Sequence, residues 1–103
     1  MAHYFRVAAR DEIPEGQGRC FTVAGRRVAV FRVDDRFYAI DDRCTHAEAS
    51  LSEGVVRDCQ VECPRHGATF DLRSGEATAL PATVPVRTYQ VRVEGDDVLV
   101  AVD

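Results

Sequence analysis

The sequence predicts an all-β fold, an antiparallel β sandwich or small barrel with an inserted loop region. Three observations carry that expectation. Short runs rich in β-branched and aromatic residues recur along all 103 residues. Turn-forming residues separate them. No stretch holds a helical period of useful length. The runs are YFRVA (4–8), RCFTVA (19–24), RVAVFRV (27–33), RFYAI (36–40), VEC (61–63), TFDL (69–72), TYQVRV (88–93) and VLVAV (98–102).

Each run has a local justification. AGR at 24–26 and VDD at 33–35 supply turns that fold the second, third and fourth runs onto one another. RSGE at 73–76 ends the sixth. Near the C-terminus Tyr89, Val91 and Val93 alternate onto one face, and Val98, Val100 and Val102 onto another. EGDD at 94–97 lies between them, so the pair reads as a hairpin. The segment from Asp41 to about Ser52 breaks the alternation and reads as an inserted loop, as does Pro64 to Gly67.

A chain of 103 residues is enough for one domain and not for two. Residues 1–103 are therefore expected to form a single domain. No apolar run approaches a membrane span of about 18 residues, and MAHYFRVAAR has no apolar signal core, so a soluble cytoplasmic protein is expected. The net charge of −4 argues against nucleic acid and anionic membranes as partners. From Asp41 to His66 the chain carries six acids against three arginines, a local charge of −3. A partner docking there is expected to be basic. All 13 basic residues are Arg, which points to coding bias more than to function.

CTHAEASLSEGVVRDCQVECPRH, from Cys44 to His66, holds three of the four cysteines and two of the three histidines. It contains Cys44-Thr-His46, a spacer of 16 residues, and Cys63-Pro-Arg-His66. Four cysteines in a cytosolic chain suggest metal or redox chemistry before a disulfide framework. Two thiolates and two imidazoles fit tetrahedral zinc at about 2.0–2.3 Å. Zinc sites, however, commonly pair Cys with Cys and His with His, whereas each loop here carries one of each. That arrangement also admits a two-iron cluster with both thiolates on one iron and both imidazoles on the other.

On these residues the chain resembles the Rieske [2Fe–2S] family. Cys44, Thr45, His46 and Cys63, Pro64, His66, Gly67 match the family's two loops. Leu51-Ser52-Glu53-Gly54 is a typical follower of the first loop, and Leu80-Pro81-Ala82 looks like the proline loop that covers the cluster. The resemblance extends through VRTYQVRVEGDDVLV. It implies one [2Fe–2S] cluster, with Cys44 and Cys63 on the inner iron and His46 and His66 on the outer one. It also implies a cluster-binding subdomain at about 41–82, inserted in a base made by the remainder. Neutral imidazoles add no charge, so such a cluster accepts electrons more readily than an all-thiolate one.

Within the family, high-potential members carry an extra disulfide between the loops, and hydroxyl donors after the last ligand. The matching positions here are Ala49 or a near neighbour with Arg65, then Ala68 and Phe70. No disulfide can form there, and neither Ala nor Phe has an O–H. A potential near the low end of the Rieske range, about −150 mV, is expected. The chain carries no mononuclear-iron triad and no flavin or nucleotide motif. The resemblance therefore implies an electron carrier that is not itself an enzyme, a stand-alone ferredoxin of an aromatic-ring dioxygenase or related oxygenase, and a monomer is expected because nothing in the sequence suggests more. Its partners would be a flavin-dependent ferredoxin reductase and a terminal non-haem iron oxygenase. Two other readings stand beside it: the small subunit of a larger reductase such as an assimilatory nitrite reductase, and a zinc-stabilised interaction module. Cys20 is expected to be a small buried hydrophobe, Cys59 a non-ligand, and His3 a surface residue.

Overall fold

The computed structural model describes residues 3–44, 49–65, 67–80, 82 and 84–102. Eleven strands are defined there: β1 (His3–Ala9), β2 (Gly18–Val23), β3 (Arg26–Val33), β4 (Arg36–Asp41), β5 (Val55–Arg57), β6 (Gln60–Glu62), β7 (Thr69–Asp71), β8 (Ala77–Ala79), β9 (Thr88–Tyr89), β10 (Val91–Glu94) and β11 (Asp97–Val102). Two single 3₁₀ turns, Arg10–Glu12 and Leu51–Glu53, interrupt them. Among the described residues no helix is long and apolar enough to cross a membrane.

The strands form three antiparallel sheets, ordered β1-β11-β10, β2-β3-β4-β9 and β5-β6-β7-β8. The all-β antiparallel expectation holds. The second sheet lies between two cores because β3 is apolar on both faces. Val28, Ala29, Val30 and Phe31 are all buried, and successive strand side chains point opposite ways. Val28 and Val30, with Ala39 of β4, pack against Val98, Val100 and Val102. Ala29 and Phe31, with Ile40, face the third sheet through Val61, Phe70 and Leu72. Burying a side chain the size of Phe31 contributes about 2–3 kcal/mol.

Two-residue turns close the hairpins. Ala24-Gly25, Asp34-Asp35 and Asp58-Cys59 all have positive φ at both positions, the conformation that matches the twist of the flanking strands. The EGDD hairpin forms as expected, with Glu94 opposite Asp97 and Val91 opposite Val100. The run at 88–93 is not one strand, however. Tyr89 pairs with Ala39 in the second sheet, whereas Val91 pairs with β11 in the first. The chain changes sheets at Gln90, whose carbonyl accepts from the Ala101 N–H at 2.9 Å. Val93 is left 41% exposed, so it does not share a buried face with Tyr89.

Candidate metal centre

The first loop leaves β4 at Asp41 and is tied down at its root. Arg43 bridges to Ser50, and the Cys44 N–H donates to the Ala49 carbonyl at 3.0 Å. Asp42 anchors both arms. Its N–H donates to the Arg27 carbonyl at 3.1 Å, and its own carbonyl accepts from the Leu51 N–H at 2.6 Å. Its carboxylate has no exposed surface. One oxygen accepts from the Arg27 guanidinium at 2.9 Å and from the Ser50 hydroxyl, and the other from the Ser52 N–H at 2.9 Å. Burial works against this charge, but donors from Ser50, Ser52 and Cys20 outweigh it. They hold the Asp42 carboxyl below the usual carboxylate range. Cys44 is buried directly beyond this anchor, at 2% exposure.

The second loop is the connection of the β6–β7 hairpin. Val61 faces Phe70, and Glu62 faces Thr69. Beyond that pair the Cys63 N–H donates to the Ala68 carbonyl at 2.6 Å, and the Gly67 N–H returns to the Cys63 carbonyl at 3.4 Å. Gly67 has a φ of +76°, a conformation that favours glycine, so the entry of the chain toward β7 depends on it. Cys63 is 1% exposed. The loops are drawn together at Gly54, where an added Cβ would lie 2.1 Å from the Glu62 carbonyl oxygen. Only glycine lets the end of the first loop run that close to the residue before Cys63.

Cys44 and Cys63 therefore lie in one apolar cluster, with Leu51, Ala68, Phe70 and Ala82. No disulfide uses either thiol. Two buried thiols at the roots of two loops, shielded by apolar groups, suit the thiolate half of an iron–sulfur cluster. His46 and His66 lie outside the described residues, as do Thr45, Glu48 and Pro81. Among the described residues no group of three or more His, Cys, Asp or Glu is placed to hold a metal. Ala68 and Phe70 are fully buried in the same cluster as both thiols, so the positions lacking hydroxyls do face that interior. In the 80–82 stretch, Ala82 packs into this core while Leu80 is 76% exposed.

Cys20 corrects an expectation: it is exposed. It pairs with Ala29, so it shares the inward face of the second sheet, but β2 is that sheet's edge. The small third sheet does not reach across to cover it. Its thiol meets Asp42 and Arg27 instead, and partial burial raises its pKa while Arg27 works against the rise. Cys59 is buried in the turn between β5 and β6 at a φ of 59°, with its carbonyl accepting from the Leu72 N–H at 3.0 Å. That turn, β5 and β8 were not foreseen in the sequence. Nor was the anchoring role of Asp42. Its only sequence signal was an acid two residues before a candidate ligand.

A β domain with two cysteine-bearing loops gathered over one face of a sheet is a class that known proteins share. A model of the Rieske [2Fe–2S] domain matches residues 3–90. The chain belongs to that family. The 3-phenylpropionate/cinnamic acid dioxygenase ferredoxin subunit of Escherichia coli (strain K12) is 47% identical over 90 residues, covering 86% of this chain and 84% of its own. The ferredoxin of carbazole 1,9a-dioxygenase from Nocardioides aromaticivorans IC177 superposes with a TM-score of 0.91 at 44% identity, covering 94% of this chain and 95% of its own. A ferredoxin solved in a complex of reduced oxygenase and oxidized ferredoxin in carbazole 1,9a-dioxygenase gives 0.89 at 39% identity, over 95% of this chain and 92% of that one.

Proposed function

We propose that this chain is a Rieske-type ferredoxin holding one [2Fe–2S] cluster. Cys44 and Cys63 bind the inner iron, and His46 and His66 the outer one. The protein is a soluble, cytoplasmic, monomeric electron carrier. It takes single electrons from a flavin-dependent NAD(P)H reductase and delivers them to a terminal non-haem iron oxygenase. Residues 1–103 act as one domain, with about 41–82 as the cluster-binding part.

The observation that carries this reading is the convergence of Cys44 and Cys63 in one apolar interior, each at the root of the loop that bears one histidine. When bound, the cluster supplies a one-electron couple. The chain's residues do the rest. The backbone hydrogen bonds of Cys44 and Cys63 fix the two thiols, and Phe70, Leu51 and Ala68 exclude water from them. The similar ferredoxins named above are dioxygenase components, and one is solved in complex with its oxygenase.

Iron and acid-labile sulfide, measured in purified variants, test the assignment. Cys44→Ser and Cys63→Ser are expected to lose both, and Cys20→Ser and Cys59→Ser to keep both. Loss in the Cys59 variant with retention in the Cys44 variant would overturn the ligand set. A colourless wild-type protein containing zinc would overturn the carrier reading.

A further inference from the structure

Asp42 places a charge inside the protein next to the thiolate half of the site. Its side chain has no exposed surface. It stands two residues before Cys44, so their Cα atoms are no more than about 7 Å apart. The contacts to its carboxylate come from donors: the Arg27 guanidinium, the Ser50 hydroxyl and the Ser52 N–H. That set suits an ionised carboxylate, which only accepts. Its chain neighbours, Asp41 and Arg43, carry opposite charges and add no net charge between them.

The ion pair that Asp42 makes is lopsided. Arg27 reaches it through one nitrogen at 2.9 Å, yet 65% of the Arg27 side chain is exposed, against none of Asp42. Water and salt screen the guanidinium, whereas protein surrounds the carboxylate. Toward the interior that holds Cys44 and Cys63, the negative end of the pair therefore dominates. One electron taken up at a bound cluster adds one negative charge there. A fixed negative charge close by, in a poorly screened interior, resists it.

We infer that the buried Asp42 carboxylate lowers the electron affinity of the bound cluster through its charge, and that Arg27 opposes it from the surface. This rests on the carrier reading with Cys44 as a ligand. It gives the anchor of the first loop a second task. Besides holding the loop, Asp42 biases the couple toward giving its electron up.

The test is the midpoint potential of the cluster-loaded wild type and three variants, measured by protein-film voltammetry at low and high salt. Asp42→Asn removes the charge and nearly keeps the shape, and an upward shift that survives high salt is expected. Arg27→Gln leaves the carboxylate without its countercharge, and a downward shift that shrinks with salt is expected. Glu53→Gln removes an exposed acid from the end of the same loop, and no shift at high salt is expected. Opposite signs for Asp42 and Arg27 are the signature. An anchor loosened from either side would move both variants the same way. Shifts in one direction for both, an unmoved potential in Asp42→Asn, or an equal salt-resistant shift in Glu53→Gln would overturn the inference. If Asp42→Asn does not retain iron, Arg27→Gln decides: a fall supports the inference, and an unchanged or raised potential overturns it. A wild-type protein with no reversible one-electron couple would overturn the carrier reading, and the inference with it.

Discussion

The two faces of the second sheet are buried by different means. On one, β1, β10 and β11 form a long ladder, from His3 opposite Val102 to Ala9 opposite Asp97 with one register shift between Arg6 and Ala8, and the interior is almost wholly aliphatic. On the other, β5 to β8 are three-residue strands, and the interior includes Cys44, Cys59 and Cys63. The first face is held by long backbone pairing and apolar burial. The second relies on a buried carboxylate, a glycine contact and thiols that a bound cluster would tie together. A scaffold that folds through its base can carry loops that would not hold their shape alone.

The largest expected effect comes from removing the metal. Binding energy at such a site is also folding energy. Chelation of iron should therefore strip hydrogen-exchange protection from Val61 and Phe70 in β6 and β7, while amides of β10 and β11 stay protected. Native-state exchange of cluster-loaded and stripped protein measures this. Equal loss in both sheets would show one cooperative unit and break the comparison.

Next in size is the anchor. Asp42→Ala leaves the Ser52 N–H and Ser50 hydroxyl without their acceptor, at a cost of about 2–4 kcal/mol. Val100→Ala, in the other core, should cost about 2 kcal/mol through lost packing. The stability losses overlap, but the consequences should not. Asp42→Ala is expected to lower iron content, and Val100→Ala to leave it unchanged. Urea unfolding together with iron assay separates the two, and an iron loss in the Val100 variant would contradict the division.

A link between the regions gives a smaller effect. Tyr89 packs in the base core, and its hydroxyl donates to Asp41 where the first loop begins. Burial and the Asp41 carboxylate raise its pKa. The neutral phenol is thus favoured by folding. Its contribution is fully present below about pH 10, the unfolded value, and is lost as pH rises through the folded pKa. Tyr89→Phe should cost about 1–2 kcal/mol at neutral pH, with the difference from wild type shrinking above pH 10. A difference that is constant across alkaline pH would show that the hydroxyl does not carry the effect.

How much of this was legible in the sequence follows the same division. β1 to β4 and β11 are long enough for alternation to register, and the EGDD turn announced its hairpin. β5 and β8, at three residues each, fall below any period. Asp58-Cys59 turns the chain without the Gly or Asn that marks such turns. The paired Cys–His spacing pointed to the site because ligand chemistry needs those residue types close together. Asp42 was counted with the surface acids, because only the tertiary fold puts donors around it. Cys20 was taken as core because β2 looks like any strand until its place at the sheet edge is known. The change of sheet at Gln90 is equally a matter of which neighbours the strand finds.

The finest test asks what the cluster-side core does to electron affinity without disturbing the fold. Ala68 and Phe70 are fully buried in the same core cluster as both thiols, and neither side chain can donate a hydrogen bond. A hydroxyl placed there would donate to the sulfur of a bound cluster if it reaches it, and that sulfur's electron density grows on reduction. A donor stabilises the reduced form more than the oxidised one, so Ala68→Ser and Phe70→Tyr should each raise the midpoint potential. A net hydrogen bond of about 0.5–1.5 kcal/mol corresponds to about 20–60 mV for a one-electron couple. In the stripped protein the same hydroxyls lose that acceptor, so both variants should be less stable than wild type without iron and nearer to it with iron. Protein-film voltammetry gives the first comparison, and urea unfolding with and without the cluster gives the second. A wild-type potential well above zero, or variants that shift it downward, would show that something other than these two positions tunes the cluster. Substituting Val28 or Val98 in the base core by Ala should move stability and leave the potential where it is.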